Sequence, residues 1–509
     1  MRNAIAIVSI IFVLSGCGGS SHDEPAPFPP APATLSEPAL EATAATFAGA
    51  ASAPTGDEPA LPNLVPSAND SGFAATFSKA GVIDRQGPFF QSLGANGRSC
   101  SSCHIQAEGW TITPAGVQAR FERTQGLDPI FRLVDGANSP LADVSSVDAR
   151  RGAYSMLLSK GLIRVGMPIP DGAEFELVAV DDPYGFASAK ELSLFRRPLP
   201  TANIAFLSTV MWDGRETFKD ATSQDCVLKT TNCFASLHFS LDSQSNNATV
   251  THAESQSSLT PAQRNAIVEF QMGLFTAQVF DRDVGDLTYA VRGGPVALSN
   301  QMYYFGINDT LEGDYRTQAP FTATGMSLFD AWADAQPDPD ITDAQLRERV
   351  AEKRRAVARG QAIFNSKQIL IRGVSGLNDD LNLPTIPGTC TTCHNAPNVG
   401  NHSVPLPLDI GVADAARRTP DMPLYTLRNT TSGEMVQTTD PGRALVTGRW
   451  KDIARFKGPV LRGLASRAPY FHNGMARDLA AAVEFYNTRF DIGLTPDESS
   501  DLVAFLRTL

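Results

Sequence analysis

Cysteine, histidine and tryptophan are all scarce here: 509 residues carry seven Cys, seven His and four Trp. So few thiols exclude a small disulfide-stapled scaffold, in which Cys exceeds roughly 8–10% of the chain. Long apolar runs are also missing. Ala4 to Leu14 is apolar, but shorter than the roughly 20 residues a membrane-spanning helix needs. No other stretch could span a membrane. Positive charge is in deficit, with 42 Lys and Arg against 54 Asp and Glu, a net charge of −12. That balance argues against a nucleic-acid partner. Strand signals are few, and Phe175 to Val180 is the best of them by alternation and β-branched content.

Four of the seven cysteines stand in two pentapeptides, Cys100-Ser-Ser-Cys103-His104 and Cys390-Thr-Thr-Cys393-His394. C-x-x-C-H is the attachment signature of c-type haem. Two thiols bond the porphyrin covalently, and the adjacent His reaches the iron. A redox disulfide would need a βαβ setting, which neither site shows. A four-Cys zinc site would need the pairs much closer together. Two covalent haem c groups are therefore expected. Cys100, Cys103, Cys390 and Cys393 would attach them, with His104 and His394 on the two irons.

The N-terminus reads as an export signal over residues 1–16. Leu14-Ser15-Gly16-Cys17 is similar to a bacterial lipoprotein cleavage box, with an ordinary signal peptide as the alternative. The expected protein is exported and periplasmic, lipid-anchored at Cys17, on the outer membrane, touching the membrane through that lipid only. Residues 17–70 are rich in Pro, Ala, Ser and Glu and read as a disordered tether. Cys226 and Cys233 remain, close in sequence. An oxidising compartment favours a local disulfide, with two unpaired thiols as the alternative.

Helix signals dominate the rest. Thr342-Asp-Ala-Gln345 is a capping box opening a helix to about Phe364, with Leu346, Val350, Val357 and Phe364 on one face. Thr260-Pro-Ala-Gln263 opens another to about Phe275, and Thr495-Pro-Asp-Glu498 a last one. Leu479 to Tyr486 is a helix capped by Asp478. Residues 281–340 read as long loops. The expected fold is mainly α: two cytochrome c-type haem domains with long loops and a few short strands. Residues 71–340 form the first, with a loop-rich insertion, and 341–509 the second.

Three further segments carry a resemblance: Met211-Trp212-Asp213-Gly214-Arg215, Ala468-Pro469-Tyr470-Phe471-His472-Asn473-Gly474, and Ala482-Val483-Glu484-Phe485-Tyr486-Asn487. With two haem motifs in this order, the chain resembles the bacterial di-haem cytochrome c peroxidase and MauG-like superfamily. The resemblance implies a peroxidatic haem on His104 and an electron-transfer haem on His394. It implies Trp212 as the aromatic bridge between them, with core packing as the plain alternative. Tyr486 stands where MauG-like enzymes place a Tyr ligand to the second iron, fourteen residues after His472. A buried helix tyrosine without a metal bond is its plain alternative.

The chain departs from that pattern. No His lies between His104 and Trp212, so the family's gating loop His is absent. The family's distal Glu segment is not found. His252, His238, Glu254 and Glu269 are candidates for the proton-moving group, His252 foremost. His252 could equally be a solvent-exposed loop residue, or ligate the iron and close the site. Arg197 and Arg467 fall where the family's calcium ligands lie, so calcium is not expected. His402 carries no role beyond hydrogen bonding. The expected function is reduction of hydrogen peroxide, or its use to oxidise a protein or small substrate, with a small cytochrome or cupredoxin as redox partner. The alternatives are a di-haem oxygenase acting on an apolar substrate and a non-enzymatic electron carrier.

Overall fold

The computed structural model describes residues 58–217, 236–288 and 291–509. The export segment, Cys17, and the Cys226 and Cys233 pair lie outside the described residues. The folded chain begins before residue 71. Ala60–Pro62 and Ser67–Asn69 are already strands, and Leu64 between them is 8% exposed.

Among the described residues, ten α-helices alternate with thirteen strands in five small sheets. Helix makes up 31% of the structure, so the fold is mixed rather than mainly helical. The strands escape a periodicity reading because most are two to five residues long. In the largest sheet, Gly72–Ser78 pairs antiparallel with Leu274–Asp281, and all eight residues of the latter are buried. A strand buried on both faces shows no alternation.

The helix capped at Thr260 runs Pro261–Met272 and stops at Gly273. The sequence expectation carried it to Phe275, which instead belongs to the buried strand. The capping box is as expected, with Thr260 Oγ1 and Gln263 exchanging bonds. The helix expected from Thr342 runs Ala344–Ser366, and its cap is Asp343, whose carboxylate accepts from Leu346 N at 2.7 Å. Leu479–Phe490 is capped by Asp478, and Pro496–Arg507 by the Thr495–Glu498 box, as the sequence indicates.

Ala344–Ser366 and Pro496–Arg507 pack closely because Gly360 lets them. A Cβ at Gly360 would lie 2.0 Å from the Asp501 carbonyl oxygen. Val357 and Phe364 from the first helix meet Leu502 and Phe505 from the second, and Phe329 and Trp332 of the preceding loops cover them. The loop-rich stretch thus packs on the C-terminal helices. The halves also share a sheet, since Phe175–Asp181 pairs with Leu424–Asn429. No described helix is long and apolar enough to cross a membrane.

Candidate functional site

The two C-x-x-C-H segments fold alike. Cys100–Ser102 and Cys390–Thr392 are each one tight 3-10 turn. Ser99 N donates to Ser102 Oγ at 3.0 Å, and Thr389 N to Thr392 Oγ1 at 2.9 Å. His104 N and His394 N each donate to the carbonyl of the first Cys at 3.1 Å. This turn brings both thiols and the imidazole of each motif to one cavity wall.

Each imidazole is oriented from behind. His104 Nδ1 donates to Trp110 O at 3.1 Å, and His394 Nδ1 to Gly400 O at 2.6 Å. A carbonyl only accepts, so Nδ1 carries the proton and Nε2 keeps its lone pair. Burial pushes the His104 imidazole down to about 4 and lowers that of His394. Both are neutral and competent to bind a metal. Burial also pushes Cys100, Cys390 and Cys393 up to about 12, and raises Cys103. Zinc binding and thiol exchange need thiolates, which these sites disfavour. No group of three or more His, Cys, Asp or Glu among the described residues could hold a metal by itself.

Each motif opens on a large cavity. The first is lined by Cys100, Cys103, His104, Trp212 and His252. The second is lined by Cys390, Cys393, His394, Trp212 and Tyr486. A pair of thiols, a neutral imidazole with a free Nε2 and a roomy, largely apolar chamber fit haem c in both places. Trp212 lines both cavities.

The first cavity has one polar wall. His252 ends the Leu237–His252 helix, and its Nδ1 lies 2.5 Å from Asp135 Oδ2. Asp135 is in turn ion-paired with Arg98, both side chains at most 5% exposed. Burial alone would raise the Asp135 carboxyl, but Arg98 and His252 hold it below the usual carboxylate range. Gly94 fastens this wall to the chain leading into the motif. A Cβ there would lie 1.9 Å from Ala253 O, the residue after His252. Of the other candidates, His238 is exposed and bonded to Asn265, Glu254 accepts from Asn96, and Glu269 accepts from Asn265. None of these three lines the cavity. Asp135, Arg98 and Gln271, whose buried Oε1 has no partner among the described residues, escaped the sequence reading. They meet His252 only through the fold.

In the second cavity Tyr486 shares the wall with His394, and burial holds its hydroxyl well above the usual phenol range. His402 lines the same cavity. Its Nδ1 is buried without a partner among the described residues, and burial pushes its imidazole down to about 3.

Trp212 is fixed from both sides. Its Nε1 donates to Arg197 O at 2.8 Å, and its own carbonyl accepts from Lys457 N at 2.9 Å. The turn after it is locked by Asp213, which is fully buried and bonded to Arg196 at 2.6 Å and Arg215 at 2.8 Å. Arg197 and Arg467 are both buried and spend their guanidinium donors on backbone carbonyls.

Fold and site define a protein with two cavities, each lined by a C-x-x-C-H motif whose residues fit haem c, and with Trp212 lining both. No family model matches the chain. It is 32% identical over 132 residues to Cytochrome-c peroxidase IdrP2 of Denitromonas iodatirespirans, covering 24% of this chain and 36% of that one. It is 35% identical over 121 residues to Cytochrome c551 peroxidase of Nitrosomonas europaea, covering 24% and 30%. A solved MauG-like protein associated with microbial copper homeostasis aligns over 90% of this chain and 95% of its own, at 15% identity and a TM-score of 0.36. The chain spans about a third of the length of the curated relatives it matches. Over about a quarter of its length the chain is similar to bacterial cytochrome c peroxidases.

Proposed function

We propose that this protein is a di-haem c-type oxidoreductase that takes hydrogen peroxide at the first cavity. The observation that carries the reading is that one chamber holds both the His104 imidazole and a second imidazole, His252, backed by the Asp135 carboxylate. Bound at His104, haem iron supplies the redox chemistry that splits an oxygen–oxygen bond. Reduction of peroxide consumes two electrons and two protons and releases two waters. His252 moves one of the peroxide's own protons: Nε2 takes it from one oxygen and returns it to the oxygen that leaves as water, and the two consumed protons enter from solvent. Asp135 keeps the Nδ1 proton in place, so Nε2 is the nitrogen that exchanges. Arg98 keeps Asp135 ionised.

Trp212 offers an oxidisable indole at the boundary of both cavities. His394 and Tyr486 are the residues that would hold the second iron in this reading. The electrons come from a redox protein such as a small cytochrome or cupredoxin, or from an oxidised substrate. Export, a lipid at Cys17 and an outer-membrane position in the periplasm complete the proposal.

The same chamber favours a second reading, in which His252 binds the first iron and the protein only carries electrons. The test is steady-state oxidation of a reduced small cytochrome by the purified holoprotein and peroxide. Two equivalents oxidised per peroxide, lost in His252→Gln, supports the enzyme. No peroxide-dependent oxidation with any donor rejects it.

A further inference from the structure

Some buried cations in this protein pair with carboxylates, and others, such as Arg197 and Arg467, spend their donors on backbone carbonyls. Arg98 pairs with Asp135, and Arg196 with Asp213 and Asp440. Lys457 is the exception at the second cavity. It is 5% exposed and lines that cavity, and no described carboxylate lies within ion-pair distance of its ammonium. Its Nζ lies 5.9 Å from the centroid of the Trp212 ring. Arg467, also buried, adds like charge nearby, and burial with that charge pulls the Lys457 ammonium down to about 7. A buried ammonium without an anion costs several kcal/mol, and proteins rarely keep one.

The cavity beside it explains the arrangement. Its walls are apolar apart from a few groups, yet a haem fastened to Cys390 and Cys393 brings two propionate carboxylates into it. Those anions need a cation as much as Lys457 needs an anion. We propose that Lys457 is the counter-ion of a carboxylate on the tetrapyrrole in the second cavity, and that its ammonium helps set the potential of that haem. The inference rests on the haem reading above. A lysine suits the place because its three donors sit on a flexible stem, whereas Arg197 and Arg467 are already held by backbone carbonyls. Main-chain geometry fixes the distance, since Lys457 N is bonded to the Trp212 carbonyl at 2.9 Å.

The test compares Lys457→Met, Lys457→Gln and Lys457→Arg in the holoprotein. Haem content is measured first. Absence of covalent haem at Cys390 and Cys393 would defeat the haem reading rather than this one. Potentiometric titration then follows each haem. Removing a cation next to an iron favours its more positive, oxidised state, so the second midpoint potential should fall in the Met variant and return in the Arg variant. The thermal midpoint should fall with it, because a buried carboxylate loses its partner. If the site holds no anion, Lys457→Met removes only a stranded charge. Unchanged potentials with an unchanged or higher thermal midpoint overturn the proposal. Should the Met variant fail to accumulate, Lys457→Gln is read by the same two criteria.

Discussion

His252 Nδ1 lies 2.5 Å from Asp135 Oδ2 although the two residues are 117 positions apart, and both line the cavity that contains His104. A carboxylate behind an imidazole fixes the ring and its tautomer. Replacing His252 by Gln should lower peroxide turnover by about 10²–10⁴-fold, the usual range for a general acid–base group. Asp135→Asn keeps the volume and loses the charge, and should cost less, about 10–100-fold, by misorienting the ring. Steady-state kcat for both variants at matched haem content checks this. Equal activity in wild type and His252→Gln would remove His252 from the mechanism.

The second iron is predicted to take Tyr486. Tyr486→Phe should abolish the low-spin electron paramagnetic resonance signal of that haem, while His402→Ala should leave its kind unchanged. Both residues line the cavity, so the pair of variants decides between them. A signal lost in the His402 variant alone would reverse the assignment.

Trp212→Phe retains an aromatic ring and loses the bond from Nε1 to Arg197 O. Stability should fall by about 1 kcal/mol, the net worth of one hydrogen bond. Electron exchange between the two haems, followed by stopped-flow absorbance, should slow far more than that small loss explains. An unchanged rate would leave Trp212 as packing.

Gly360→Ala tests the C-terminal scaffold. Its Cβ would meet the Asp501 carbonyl oxygen at 2.0 Å, so the two long helices must part. Overpacking of this kind costs about 1–3 kcal/mol, read as a lower thermal midpoint without loss of haem.

Acid should destabilise the protein partly through His472. Its side chain is 2% exposed, its Nε2 makes no hydrogen bond among the described residues and lies 3.9 Å from Asp440 Oδ2, and burial pushes its imidazole down to about 4 despite that carboxylate. The folded state keeps this imidazole neutral where the unfolded chain, near pH 6.5, already takes a proton. Its contribution is therefore complete above about pH 6.5 and is lost as pH falls toward 4. The slope is on the order of 1.4 kcal/mol per pH unit. Denaturant melts of His472→Gln between those limits should show a shallower dependence than wild type.

Local chemistry was readable from the residues, and long-range assembly was not. The haem motifs, the Thr260 and Thr495 caps and the Asp478 cap depend on neighbours within three or four positions, and all form the turns or caps expected. The sequence extends the Thr260 helix into Leu274–Asp281 because nothing in an all-buried strand alternates. The wall around His252 depends on Asp135 and Arg98 arriving from another part of the chain. Lys457 looks like any surface lysine until the fold buries it beside Trp212.

The most direct test is electron paramagnetic resonance of the ferric holoprotein before and after one equivalent of hydrogen peroxide. An open first site predicts a high-spin signal that peroxide removes, beside a low-spin signal from the second haem. Two low-spin signals that peroxide leaves unchanged would contradict the account.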